Sequence, residues 1–163
     1  KVDLGWLKES QELVKPYKNE MKNLYDMFNN TGRYKISRIV DDMYFYVHCY
    51  DESQAVDCVT RYKTLSQLEV ILQGRKVYFF PSVINKGIAV ERLKAYIIYE
   101  KIIAAGDSII DLPMLQKADF VIIPRELENA EWNNSNMVNV CDEKIFSNYV
   151  CKQILKLCKG GYI

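Results

Sequence analysis

Between Trp6 and Asn29 the apolar positions Leu7, Leu13, Val14, Met21, Leu24, Tyr25 and Phe28 recur mostly at helical spacing, with Pro16 among them. Proline lacks the N–H that a helix interior needs, so the pattern predicts two helical pieces or one kinked helix. Gly32 follows Asn29-Asn30-Thr31 and supplies the left-handed residue that commonly ends a helix. The period then shortens. Residues 35–40 and 43–49 are aromatic and β-branched runs separated by Asp41-Asp42, the pattern of a hairpin or of neighbouring strands. A short helix over 53–59 and two further strands, 68–73 and 76–80 around Gly74-Arg75, complete an order of helix, two strands, helix, two strands.

From Asn85 the rhythm changes to helix alternating with apolar strand: helices over 87–96, 111–117 and 146–159, strands over 101–105, 120–123 and 137–140. The unbroken runs Ile102-Ile103-Ala104-Ala105 and Phe120-Val121-Ile122-Ile123 suit parallel strands buried on both faces. The expected fold class is therefore α/β, in two parts: an α+β domain over 1–80 and a Rossmann-like parallel-sheet part over 81–163, with the boundary near 81–84.

Composition narrows the functions. With 49% apolar residues in 163, the chain can bury a real core. Lys+Arg 22 against Asp+Glu 21, with no basic block, offers nothing to track a nucleic-acid backbone, so nucleic acid is not an expected partner. The apolar runs are far too short to cross a bilayer, and no membrane association is expected. Five scattered cysteines without a Cys-x-x-Cys pair, and a single histidine, argue against a structural zinc site and fit a reducing, cytoplasmic setting. Cys151 and Cys158 are expected on one face of the last helix as small apolar residues. The chain opens without Met in a charged helical pattern, so residue 1 is not read as the natural start.

The candidate chemistry lies where the strand ending at Ala105 runs into Gly106-Asp107-Ser108. In an open parallel sheet, ligands bind beyond the carboxyl ends of the strands. Asp111, four residues on, returns to nearly the same side if the turn is helical. Two carboxylates there suit a hard cation such as Mg²⁺, which keeps waters and takes one or two carboxylates together with phosphate oxygens. Upstream, Lys86 sits at the start of a helix, where backbone N–H groups and an ammonium favour an anion.

Asn85-Lys86-Gly87 with Ala89 and Leu93, then Gly106-Asp107-Ser108-Ile109-Ile110-Asp111-Leu112-Pro113-Met114-Leu115, resemble the third and fourth motifs of the haloacid dehalogenase superfamily, in its Cof-like and sucrose-phosphatase-like branch. The αββαββ order of the first half is similar to the cap domain of that branch. The resemblance implies Mg²⁺ held by Asp107 and Asp111, directly or through water, Lys86 as the catalytic lysine steadying the phosphoryl group, and Asn85 and Ser108 near the substrate. It implies a small phosphorylated metabolite, such as a sugar phosphate, hydrolysed through an aspartyl-phosphate. The nucleophilic aspartate of an Asp-x-Asp motif is absent from these residues: Val2-Asp3-Leu4 does not match it and Asp41-Asp42 falls in the cap-like pattern. Thr31-Gly32-Arg33 resembles the second motif, but a polar helix precedes it, and the helix-end reading is preferred. Ile110 stands where many relatives carry Asn.

On this basis the chain by itself is expected to be inactive, and the sheet edge left without a first strand is expected to be covered by an upstream segment or by a homo-oligomer partner. The rival is a non-catalytic truncated or degenerate relative that keeps the fold for binding or assembly. Other readings stand beside these. Asp107 and Asp111 could be a helix cap and a first-turn acid. Ser108 as a hydrolase nucleophile would need a downstream histidine, and the single histidine, His48, is upstream in a strand. Some of Tyr44, Tyr46 and Tyr78 are expected to face the site from the cap, and which strand face looks inward is left open by the pattern alone.

Overall fold

The computed structural model describes residues 4–133 and 136–160. The chain divides after Ile84 into two compact units. In the first, α1 (Leu4–Val14) and α2 (Lys18–Asn30) are joined by a 3-10 turn, Lys15–Tyr17, with Pro16 in its first positions. The break therefore falls where proline removes a donor. Gly32 adopts φ +61 just past α2, as the chain reversal there requires.

Strands β1 (Ile36–Val40) and β2 (Tyr44–His48) form a hairpin whose turn residues Asp41 and Asp42 have φ 48 and 56, a left-handed pair that short polar side chains tolerate. Helix α3 (Glu52–Tyr62) runs longer than the 53–59 expected, because Asp51 caps it by accepting from Gln54 N at 2.8 Å and the apolar spacing continues to Tyr62. Strands β3 (Glu69–Gln73) and β4 (Lys76–Phe80) follow. All pairs are antiparallel, in the order β1-β2-β4-β3.

Because side chains alternate along a strand, one sheet face carries Phe45, Val47, Val77 and Phe79, each fully buried, beneath Met21, Leu24 and Phe28 of α2 and Ala55, Cys58 and Tyr62 of α3. Burial pushes the Cys58 thiol up to about 12, with Cys49 nearby adding to it, so this cysteine is held as the inert thiol. Val83 and Ile84 pack against the same core, which is why the division falls after Ile84 rather than after Phe80.

The second unit begins with α4 (Lys86–Lys94) and contains a three-stranded parallel sheet, β5 (Ile103–Ala105), β6 (Phe120–Pro124) and β7 (Met137–Cys141), in that order. Val121, Ile122 and Ile123 of the central strand are fully buried, and Val121 and Ile123 join Ala104, Leu115, Ala118 and Leu127. Between β5 and β6 lie a 3-10 turn, Ile109–Asp111, and the short α5 (Leu112–Leu115). The helical turn thus opens at Ile109, before the expected 111, because Ser108 rather than an aspartate occupies the cap position. Helix α6 (Phe146–Lys159) closes the unit, and Cys151 and Cys158 are both free and exposed on it.

β5 is shorter than 101–105 because Asp119 takes over its entry. The Asp119 carboxylate accepts from Ile102 N at 2.9 Å and from Lys101 Nζ at 3.0 Å, while Asp119 N donates to Ile102 O at 2.9 Å. The backbone bond from Ile102, then the Lys101 ammonium, holds this carboxyl below its ordinary 3.8. A depressed folded-state value means that its contribution is complete above about pH 4 and is lost as pH falls through the lower folded value. Asp119→Asn should therefore flatten the acid limb of a plot of melting temperature against pH and cost about 0.5–1 kcal/mol at pH 7. An unchanged acid limb would contradict this account.

Candidate active site

Asn85 is the N-cap of α4, with extended backbone (φ −157, ψ 172), and its side-chain oxygen accepts from Ile88 N at 2.9 Å. The oxygen is thereby committed to the helix, which limits what Asn85 offers a substrate. Asn85→Ala should lower stability by about 1 kcal/mol, read from denaturant unfolding of the second unit. Lys86 is the first residue of the helix, and its Nζ forms an ion pair with Asp111 Oδ1. The lysine side chain is 53% exposed and that of Asp111 7%, so the pair is anchored at one end and open at the other.

Asp111 is buried, and its second oxygen, Oδ2, accepts from Asp107 N at 3.1 Å, Ser108 N at 3.2 Å and Ser108 Oγ at 2.9 Å. This is the return half of a capping box: a first-turn acid satisfying the N–H groups ahead of its own helix. Burial opposes ionisation of Asp111, but the bonds from Lys86 and Ser108, the Lys86 charge and the Asp107 N–H together hold its carboxyl below the ordinary value. Ser108 donates its proton into this cluster, which leaves it a structural hydroxyl and not an activated nucleophile.

The two aspartates are therefore unequal. Both oxygens of Asp111 are engaged, whereas Asp107 is exposed and its carboxylate has no hydrogen-bond or ion-pair partner among the described residues. The cap-and-first-turn reading applies to this turn, but with Ser108 as the cap and Asp111 as the acid; Asp107 is left free.

Two glycines allow the approach. A Cβ on Gly106 would lie 2.5 Å from Asp111 Cβ, and one on Gly87 would lie 2.4 Å from Pro113 O. Glycine at 106 lets Asp111 fold back under the strand end, and glycine at 87 lets α4 pack onto α5, bringing Lys86 to Asp111. The motif contained both letters, but only the folded chain shows what each makes room for.

A family model described as haloacid dehalogenase-like hydrolase matches residues 4–130. The chain belongs to that family. Among curated proteins none matches the sequence. Of solved structures, Thermoplasma acidophilum 0175 is similar with TM-score 0.53 and 18% identity, over 82% of this chain and 60% of that one. A haloacid dehalogenase-like hydrolase from B. subtilis gives TM-score 0.47 and 20% identity, over 60% of this chain and 35% of its own. An Aspergillus fumigatus trehalose-6-phosphate phosphatase gives 0.37 and 18%, over 92% and 58%. The chain thus spans between about a third and three fifths of the length of these structures.

Haloacid dehalogenase-like hydrolases are generally Mg²⁺-dependent, and the donors of this chain can be tested against that ion. Asp107 offers an unencumbered hard oxygen at a strand end, in the turn whose N–H groups bond Asp111, which fits a cation that keeps several waters. Among the described residues no group of three or more His, Cys, Asp or Glu side chains is gathered that could hold a metal. The fit therefore rests on Asp107, with Asp111 behind it. No helix among the described residues is long and apolar enough to cross a membrane.

Proposed function

We propose that this chain is the metal- and phosphate-binding part of a Mg²⁺-dependent phosphohydrolase acting on a small phosphate monoester, with the first unit as its cap. The observation that carries the reading is that Asp107, its carboxylate free, lies in the same strand-end turn as Asp111, which bonds the Asp107 N–H through one oxygen and holds the Lys86 ammonium through the other. Bound at Asp107, Mg²⁺ would supply charge neutralisation for phosphoryl oxygens. Lys86 donates to a phosphoryl oxygen through the part of its ammonium that Asp111 leaves open. Asp111 keeps that ammonium in place and keeps the Asp107-Ser108 turn closed.

The attacking group is an aspartate outside these 163 residues, since no Asp-x-Asp occurs among them. Attack on phosphorus would give an aspartyl-phosphate and release the alcohol; water would then release phosphate. β5 lies at one end of the sheet order, and a strand carrying that aspartate would pair along its outer edge. The sugar phosphate among possible substrates rests on family analogy.

Two measurements test this. The 163-residue chain should bind Mg²⁺ by calorimetry, and Asp107→Asn should remove the binding. It should also fail to hydrolyse p-nitrophenyl phosphate, whereas the reading frame extended upstream into an Asp-x-Asp strand should hydrolyse it with Mg²⁺. Turnover by the chain itself that Asp107→Ala abolishes would refute the external nucleophile, and Mg²⁺ binding unaffected by Asp107→Asn would refute the metal assignment.

A further inference from the structure

A surface helix ordinarily turns its apolar stripe inward and its polar residues outward. Helix α6 packs on β6, and its half-buried positions Phe146, Val150, Gln153 and Leu157 recur at helical spacing and mark its inward side. A second stripe, Cys151, Ile154, Leu155 and Cys158, follows the i, i+3, i+4, i+7 spacing on the outward side. Ile154 is 38% and Leu155 58% exposed, and both thiols are free and exposed. The helix therefore carries two apolar stripes and covers only one of them.

The outward stripe is self-complementary. Residues 151 and 158 lie equally far from the midpoint between Ile154 and Leu155, and seven residues return the chain to nearly the same direction after two turns. A two-fold axis through that midpoint, with a second copy running antiparallel, places Ile154 and Leu155 of both copies at the centre. It sets Cys151 of each copy opposite Cys158 of the other. Charge agrees with the antiparallel sense. Asp142 and Glu143 precede the first turn, and Lys152 Nζ holds Glu143 against the helix at 2.8 Å from both carboxylate oxygens. Lys156 and Lys159 stand in the last turn, so each basic end meets an acidic end and the two helix dipoles oppose. A parallel pair would bring the lysines together.

We propose that α6 is a contact surface for a second copy of this chain, docked antiparallel through Cys151, Ile154, Leu155 and Cys158. One helix pair buries less than the about 800 Å² per partner of a standard interface, so the association is weak and reversible. No residue of the candidate active site enters it, and it stands or falls apart from the phosphatase reading. A segment preceding residue 1 is the competing occupant of the stripe.

The test places the 163-residue chain in a glutathione redox buffer, where two thiols lose two electrons and two protons to oxidised glutathione and two molecules of glutathione leave. Along one helix Cys151 and Cys158 are about 10 Å apart, beyond the reach of about 7 Å that a disulfide allows, so any bond between them joins two copies. Non-reducing electrophoresis should show a covalent dimer whose linked peptides pair 151 with 158. Each bond needs one cysteine of each kind, so Cys151→Ser alone should abolish the dimer although Cys158 remains. Without oxidant, sedimentation equilibrium should show a reversible dimer that Leu155→Lys weakens about tenfold or more, by setting like charges together at the two-fold. Should Leu155→Lys not fold, the linkage map of the unchanged protein still decides. Dimers linked 151 to 151 or 158 to 158, a covalent dimer that persists in Cys151→Ser, or a monomer at every concentration up to about 1 mM would overturn the proposal. So would a monomeric, upstream-extended protein in which neither cysteine reacts with a maleimide, since the stripe would then be covered by its own chain.

Discussion

Replacing Asp111 with alanine should destabilise the second unit by about 3 kcal/mol while leaving the first unit unchanged. Asp111 is 5% exposed and accepts from Lys86, from the N–H groups of Asp107 and Ser108, and from the Ser108 hydroxyl. Alanine would strand those donors around a small cavity. Lys86 is half exposed and can turn to water, so the loss falls at the lower end of what breaking a buried pair costs. Asp111→Asn keeps the shape and one good acceptor but not the charge, and should cost about half as much. Hydrogen exchange at the β6 amides reads the second unit on its own, which matters because two units need not unfold together. A loss under about 1 kcal/mol for the alanine variant would show that Asp111 is not the organiser of this turn.

Phe28→Ala should act on the other unit, at about 3–5 kcal/mol. The Phe28 ring is 2% exposed and lies 4.8 Å from Tyr34, 5.0 Å from Tyr62, 5.6 Å from Phe45 and 5.8 Å from Phe79, between centroids. It joins α2 to α3 and to both central strands, so no single neighbour can move in to fill the space. Phe28→Leu, which keeps most of the volume, should cost under about 1.5 kcal/mol. Protection factors for the amides of β2 and β4 measure the effect. Equal loss at β6 would mean that the two units do not unfold independently.

The contrast between these residues shows where sequence reasoning reaches. Phe28 belongs to a helical apolar stripe, and its burial follows from period alone. The inequality of Asp107 and Asp111 does not, since both are aspartates near a strand end. It arises because Ser108 takes the cap and the turn opens at Ile109, so that Asp111 faces back to its own N–H groups. Element ends moved for similarly local reasons: Asp51 caps α3 ahead of the expected start, and Asp119 shortens β5 by claiming Ile102 N. The free side of Cys151 and Cys158 was beyond reach because a seven-residue spacing fixes a shared face but not which face packs.

The sequence by itself determined the αββαββ order and the parallel second half, because period two and period 3.6 are local and survive without knowledge of partners. It also determined the family, through Lys86 and the run from Gly106 to Leu115. Only the tertiary structure decided which aspartate stays free, why 87 and 106 must be glycine, and which stripe of α6 is left facing solvent. Those depend on distances between segments far apart in the chain, where packing and hydrogen-bond satisfaction choose among arrangements that the local pattern leaves equivalent.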